Sequence, residues 1–324
     1  MSGGGNSTTV DIATPLLSIL VVIVGEQPTG VYTTISSEGG LNFQTRSFVQ
    51  YAMHVAGWAA ITVRGVVLAM AGAYFVLTII GGVFTDSIIF QPPSPGYRDD
   101  TSVLKLTSAD GASISAKYFP NVNAKFTLLF SHGNAEDMGY DAGFLKDVRD
   151  AGFSVFAYDY QGYGTSKGKP SEEHLYEDSE AAYHYLTDEL HVPPNRIIAW
   201  GRSLGGAAAV DLAARRPVAG LIMESTFTSA FRVLTRFALL PFDKFPNLAK
   251  IRNVHCPVLV IHGKRDRIIS FCHGQTLFAA ANEPKICFWV ERAGHNNLTL
   301  VAGNDYFEEL RKFAELVDRS KTGG

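Results

Sequence analysis

A chain of 324 residues has room for about two domains of ~150 residues, or for one large domain and an attachment. Hydrophobic residues make up 46% and charged residues 18%, which excludes a disordered or collagen-like chain. The 28 basic and 31 acidic residues leave a net charge of −3, so no bulk positive field favours a nucleic-acid partner.

Residues 1–64 form an N-terminal region to which the sequence assigns no role. Within it, 12–24 (IATPLLSILVVIV) is apolar but short, contains Pro15 and lacks a preceding cationic stretch. It is a poor membrane span and a poor signal peptide. Between Ser47 and Thr85 the one formally charged side chain is Arg64, and 65–84 (GVVLAMAGAYFVLTIIGGVF) is twenty uncharged, mostly apolar residues. As a helix rising ~1.5 Å per residue this stretch covers roughly 30 Å, the thickness of a bilayer's hydrocarbon core. A buried core helix would carry a polar face. A cleaved signal peptide would be shorter and end in an A-x-A-like site. Neither describes 65–84, which is expected to be an uncleaved transmembrane anchor. The charge-poor 47–63 leaves a second crossing or an interfacial segment open. Arg46 and Arg64 on one side against Arg98 on the other favour a cytoplasmic N-terminus and an exported C-terminal domain, an orientation that two crossings would reverse.

Residues 85–98 read as a linker, ending in Gln91-Pro92-Pro93-Ser94-Pro95-Gly96. From 99 to 319 the pattern becomes that of one α/β domain. Segments 102–107 and 112–119 flank Asp110-Gly111, a hairpin signal. Continuous apolar runs follow at 126–131, 153–158, 197–200, 219–223 and 257–262, as parallel strands buried on both faces require. Helical stretches lie near 137–151, 172–190 and 204–215, and a last strand near 285–290 precedes a helix near 306–318. A hairpin followed by repeated βα units predicts a mostly parallel sheet with helices on both faces.

The chemistry-bearing residues fall at the ends of these strands. Trp200-Gly201-Arg202-Ser203-Leu204-Gly205-Gly206 places G-x-S-x-G directly between a strand and an apolar helix. Such a turn strains the serine backbone, lifts its hydroxyl above the sheet and aims a helix N-terminus at the reacting centre. A serine hydroxyl is too weak an acid to attack a carbonyl unaided; it needs a base, and the base needs an orienting carboxylate. Asp266 follows the strand PVLVIH, and His295 stands in a glycine loop between the last strand and the last helix. The chain order Ser203, Asp266, His295 is that of an α/β-hydrolase triad, with Glu224, at the end of LIMES, as the spare acid. The oxyanion hole is assigned to the backbone N–H groups of Leu204 and Asn134, the latter in Ser131-His132-Gly133-Asn134-Ala135; such donors are worth ~3 kcal/mol each. His132 and His262, each before a glycine, read as packing residues. No HExxH or comparable ligand cluster occurs, so neither a metal nor a cofactor is expected. The glycines of 159–168 (DYQGYGTSKG) are not a phosphate loop and are expected to rim the site.

Seven blocks in order, SHGNAEDMG, YDYQGYGTSKGKPSE, GRSLGG, ESTFTS, FPNLAKI, VLVIHGKRD and GHNN, resemble the Bem46 branch of α/β-hydrolase-domain serine hydrolases, which is similar to the eukaryotic ABHD13 and ABHD17 proteins. The resemblance covers about 99–318. It implies an α/β-hydrolase fold, a serine hydrolase with Ser203, Asp266 and His295 as triad, and often an N-terminal membrane segment. ABHD17-like proteins look like protein depalmitoylases attached through an N-terminal cysteine cluster. Here the cysteines are Cys256, Cys272 and Cys287, so that attachment is not carried over; their number and spacing also exclude a disulfide scaffold and a structural zinc module.

The segment between Ser225 and Leu248, where a cap domain is often inserted, holds about one amphipathic helix, which predicts an open cleft with at most a small lid. Phe227, Phe231, Phe237, Leu239, Leu240 and Phe242 either line an acyl pocket or pack that helix on the sheet. The expected activity is hydrolysis of a carboxylic ester or thioester in a small-molecule or acylated substrate. Amide or peptide hydrolysis by the same triad is the alternative, and a non-catalytic membrane-bound scaffold is a further one.

Overall fold

The computed structural model describes residues 48–234 and 243–322. It divides into two units, 1–77 and 78–324. The segment 12–24 and the side chains of Phe237, Leu239, Leu240 and Phe242 lie outside the described residues.

Helix α1, Phe48–Ile89, is one unbroken element of 42 residues. That continuity rules out a turn within 48–63, so these residues are not a separate crossing. The part apolar enough to cross a membrane is Ala52–Ile79, none of it buried. Trp58, Ile61, Leu68, Met70 and Phe75 stand exposed along it, and an exposed, apolar helix suits lipid. This candidate span starts thirteen residues before the expected 65–84, and Arg64 falls inside it rather than at its edge. Arg46 and Arg98 then remain as one basic flank on each side, and the positive-inside count favours neither orientation.

The unit from 78 onward is built on strands β1 Leu104–Thr107, β2 Ser113–Phe119, β3 Thr127–Ser131, β4 Ser154–Tyr158, β5 Ile197–Arg202, β6 Gly220–Glu224, β7 Val258–Gly263 and β8 Lys285–Val290. They form one sheet in the order β1-β2-β4-β3-β5-β6-β7-β8. β2 runs antiparallel to both its neighbours and every other pairing is parallel. The helices that matter to the site are α2 Met138–Asp150, α3 Glu172–His184 and α4 Gly205–Arg215. Two short ones, α5 Ala230–Leu234 and α6 Asn247–Lys250, stand in the cap segment, followed by α7 Phe271–Ala280, α8 Leu298–Ala302 and α9 Asn304–Thr322.

The strands are apolar on both faces because each face has its own helix layer. Leu129, Phe156, Ala199, Leu221 and Val260 pack with Ala182 of α3, Ala208 and Leu212 of α4 and Leu277 of α7. The alternate residues Phe130, Val155, Trp200, Ile222 and Ile261 pack with Leu145 of α2 and with Tyr306, Leu310 and Phe313 of α9. This period-two division is what parallel strands sandwiched by helices impose.

Crowding accounts for two of the elbow glycines. A Cβ on Gly201 would drive into the backbone of Gly205, and one on Gly205 into the carbonyls of Ser131 and His132. Backbone cannot yield as a flexible side chain can, so Gly205→Ala is expected to destabilise the domain by about 3 kcal/mol or more, read as a lowered thermal melt.

Candidate active site

Ser203 stands between β5 and α4 with φ +51, a left-handed conformation that non-glycine residues adopt at a cost. Neighbouring backbone holds it there. Its N–H donates to the Glu224 carbonyl at 2.8 Å, and its own carbonyl accepts from the Thr226 hydroxyl at 2.8 Å.

Asp266 lies just beyond β7. One carboxylate oxygen accepts the N–H groups of Ile268 and Ile269 at 2.9 and 2.8 Å. The other faces His295 Nδ1 at 2.7 Å. Across the same ring, His295 Nε2 is 3.0 Å from Ser203 Oγ. The Asp266 and His295 loops are joined by a bond from Arg265 N–H to the Ala293 carbonyl at 2.9 Å. Burial alone would raise the Asp266 carboxyl, but hydrogen bonds from His262, His295 and the Ile269 N–H hold it well below the usual carboxylate range. An ionised Asp266 only accepts, so the imidazole proton sits on Nδ1 and the Nε2 lone pair is left for the Ser203 hydroxyl.

The three residues expected from sequence are thus hydrogen-bonded in one line, at the carboxyl ends of β5, β7 and β8. Glu224 is committed elsewhere: its carboxylate accepts from Tyr306 Oη at 2.7 Å, Trp200 Nε1 at 3.2 Å and Arg202 Nε at 3.3 Å. Arg202 is partly buried, lies over the Phe144 and Phe130 rings and also pairs with Asp141 at 2.9 Å. Burial raises the Asp141 carboxyl to about 6 against the pull of Arg202.

Leu204 and Asn134 occupy touching turns, since Gly205 presses on the backbone of Ser131 and His132. Among the described residues no backbone carbonyl takes up either N–H. The rest of the 132–136 loop is tied down. The His132 carbonyl accepts from Tyr160 Oη at 2.5 Å, the Gly133 N–H donates to Glu136 at 2.8 Å, and Ala135 has φ +58.

The loop 159–168 is bonded to this turn through two buried tyrosines, Tyr160 to the His132 carbonyl and Tyr163 to Asn134 Oδ1. Phe227 is also buried, edge-on to Phe245 at 6.1 Å, which favours packing over pocket-lining at that position. An open cleft of about 430 Å³, lined by Glu136, Phe144, Arg202, Leu298, Leu300 and His295, flanks the triad histidine.

His262 was expected to pack, and it is buried; it also lies 3.3 Å from the triad carboxylate through Nε2, a contact that no motif announces. His132 is buried and stacked on Tyr160, and burial pushes its ring down to about 4. An unfolded histidine takes its proton near 6.5, so stability is lost as pH falls from there toward 4. His132→Phe is expected to remove about 2 kcal/mol of the stability lost between about pH 7 and about pH 4.5, read as a difference in unfolding free energy.

Away from the triad, Asp110 in the β1–β2 turn and His174 and Glu177 on α3 bring ligand atoms within 4.8 Å of one another. This grouping of cation-binding types is separated from β5 by β2, β4 and β3.

Residues 122–245 match the family model described as Hydrolase_4, serine aminopeptidase S33. Over 202 residues the chain is 44% identical to alpha/beta hydrolase domain-containing protein 17B of Homo sapiens, covering 60% of this chain and 69% of that one. It is 43% identical over 203 residues to the alpha/beta hydrolase domain-containing protein aho-3 of Caenorhabditis elegans, covering 61% and 60%. Among solved structures, an esterase of Pyrococcus furiosus superposes with a TM-score of 0.59 at 19% identity, covering 69% of this chain and 98% of that one. An esterase domain from Rhodothermus marinus gives 0.51 at 22%, covering 65% and 97%. These two establish the fold. With that fold, and with 44% identity across more than two thirds of its human relative, the chain belongs to the alpha/beta hydrolase domain-containing protein 17 family and is an α/β-hydrolase enzyme.

Proposed function

We propose that the protein is a serine hydrolase that cleaves carboxylic ester or thioester bonds through an acyl-enzyme on Ser203, attached to a membrane by α1. The observation that carries this reading is the line from Asp266 through His295 to Ser203, with links of 2.7 and 3.0 Å. Ser203 Oγ attacks the carbonyl carbon as its proton passes to His295 Nε2. Asp266 keeps the ring in the required tautomer and stabilises the imidazolium. The tetrahedral oxyanion takes hydrogen bonds from the N–H groups of Leu204 and Asn134. Collapse breaks the bond to the alcohol or thiol, which leaves with the proton from His295. Water then attacks the acyl-enzyme with His295 again as base, releasing the acid and restoring Ser203.

Two tests bear on it. A fluorophosphonate probe should label the full chain but not its Ser203→Ala variant; absence of labelling on folded wild type favours the scaffold reading. A panel of acyl esters and thioesters of rising chain length, assayed on the full chain in detergent, should show turnover and define the acyl preference. Amide hydrolysis by the same residues is the second reading, favoured by the aminopeptidase description of the matching family model. Faster turnover of peptide amides than of esters would select it.

A further inference from the structure

The side chain of Asn134 is engaged in a way that an N–H donor does not require. Its Nδ2 donates to the carbonyl of Ile89, the last residue of α1, at 2.5 Å. Its Oδ1 accepts from the Gln91 N–H at 3.0 Å, from Tyr163 Oη at 2.6 Å and from the Ala135 N–H at 3.1 Å. The Gln91 N–H also reaches Tyr163 Oη at 3.2 Å. Between these two residues, Phe90 is buried edge-on against Tyr163 and Phe245, with ring centroids 6.5 and 6.0 Å away. One turn earlier Asp86 pairs with Lys244 at 3.1 Å. The exit of α1 is therefore fastened to the turn that carries the proposed oxyanion donor.

That turn needs fastening. Ala135 has φ +58, a conformation that persists where surrounding contacts over-determine it. The contacts that fix the Asn134 side chain come largely from 89–91 and from Tyr163, outside the turn itself. From this geometry we infer that 89–91 is a structural part of the oxyanion hole, with Asn134 through its side chain and Tyr163 through its hydroxyl as positioning residues. The segment fixes the side chain of Asn134 and thereby the direction of the backbone N–H of the same residue. The inference rests on the reading of Ser203 as nucleophile. Hydrolysis then depends on whether the exit of α1 is seated, which couples the attachment helix to the rate of chemistry.

An oxyanion donor acts on charge that develops in the transition state, so misaligning it lowers kcat and leaves KM nearly unchanged. The test uses the full chain in detergent micelles and a short-chain p-nitrophenyl ester, with Tyr163→Phe and Gln91→Pro. Tyr163→Phe keeps the ring against Phe90 and removes the hydroxyl. Gln91→Pro removes the donor N–H from a stretch already followed by two prolines. Both are expected to lose at least about tenfold in kcat, with KM within about twofold and the thermal melt retained. Wild-type kcat in both folded variants, or a loss confined to KM, overturns the inference. If Gln91→Pro fails to fold, Tyr163→Phe decides alone. Ser203→Ala run alongside separates the two claims. Retained turnover there defeats the nucleophile assignment, whereas a dead Ser203→Ala beside fully active Tyr163→Phe and Gln91→Pro defeats only the role of 89–91.

Discussion

Ser203→Ala is expected to lower kcat for a short-chain ester by roughly a million-fold while leaving the thermal melt close to wild type. The size follows from the chemistry, since alanine has no oxygen to serve as acyl acceptor. The retained fold follows from the turn. Alanine carries the same Cβ as serine, so the cost of φ +51 is unchanged, and the bonds from the Ser203 N–H and to its carbonyl involve backbone atoms of that residue. His295→Ala should lose nearly as much. The double variant should be no worse than either single one, because hydroxyl and imidazole act as a unit. Additive losses in a rate assay would mean that the two do not share one proton path.

Asp266→Asn carries the second large effect, an expected loss of about ten-thousand-fold in kcat. An asparagine can still accept the Ile268 and Ile269 N–H groups, but its amide nitrogen would then donate toward His295 Nδ1. The ring proton would move to Nε2, where Ser203 needs an acceptor. The carboxyl of Asp266 is held far down in the folded protein, so its stabilising contribution is present above the ordinary carboxylate range near 4 and is lost as pH falls below it. The variant should therefore lose some stability at neutral pH and less in acid. Glu224→Gln should behave in the opposite sense, keeping turnover within about tenfold while losing roughly 3 kcal/mol of stability, because it weakens the contacts between buried Glu224 and Arg202. An active Asp266→Asn beside an inactive Glu224→Gln would move the catalytic acid to Glu224.

The strands from β3 onward were legible because each is a mostly apolar run closed by a polar or glycine-rich turn, and β1 and β2 because they flank Asp110-Gly111. β8 has the expected bounds, β6 and β7 are displaced by one residue, and β3 and β4 start one residue later than expected. Helix α7 escaped the pattern. It is ten residues long and carries Gly274 mid-helix, where helix propensity is poor. The structure supplies the reason, since a Cβ there would strike the ring of His262. The extent of α1 was misjudged because Arg64 reads as a boundary in one dimension, yet one cation does not interrupt a backbone hydrogen-bond ladder. Ser203, Asp266 and His295 were legible because the chemistry restricts residue type and chain order together. The contacts of Tyr163 and the Asn134 side chain were not, because each joins atoms distant in sequence: Tyr163 and Asn134 are 29 residues apart, and the Asn134 side chain reaches back 45 to Ile89.

The position of His295 beyond the last strand has a consequence for biosynthesis. Helix α1 leaves the ribosome well before Ser203, and His295 follows only when β8 and its following loop have emerged. On the proposed mechanism, a nascent chain halted before that point holds an unactivated serine alcohol, so hydrolytic capacity would switch on as a late event of synthesis, after α1 has emerged.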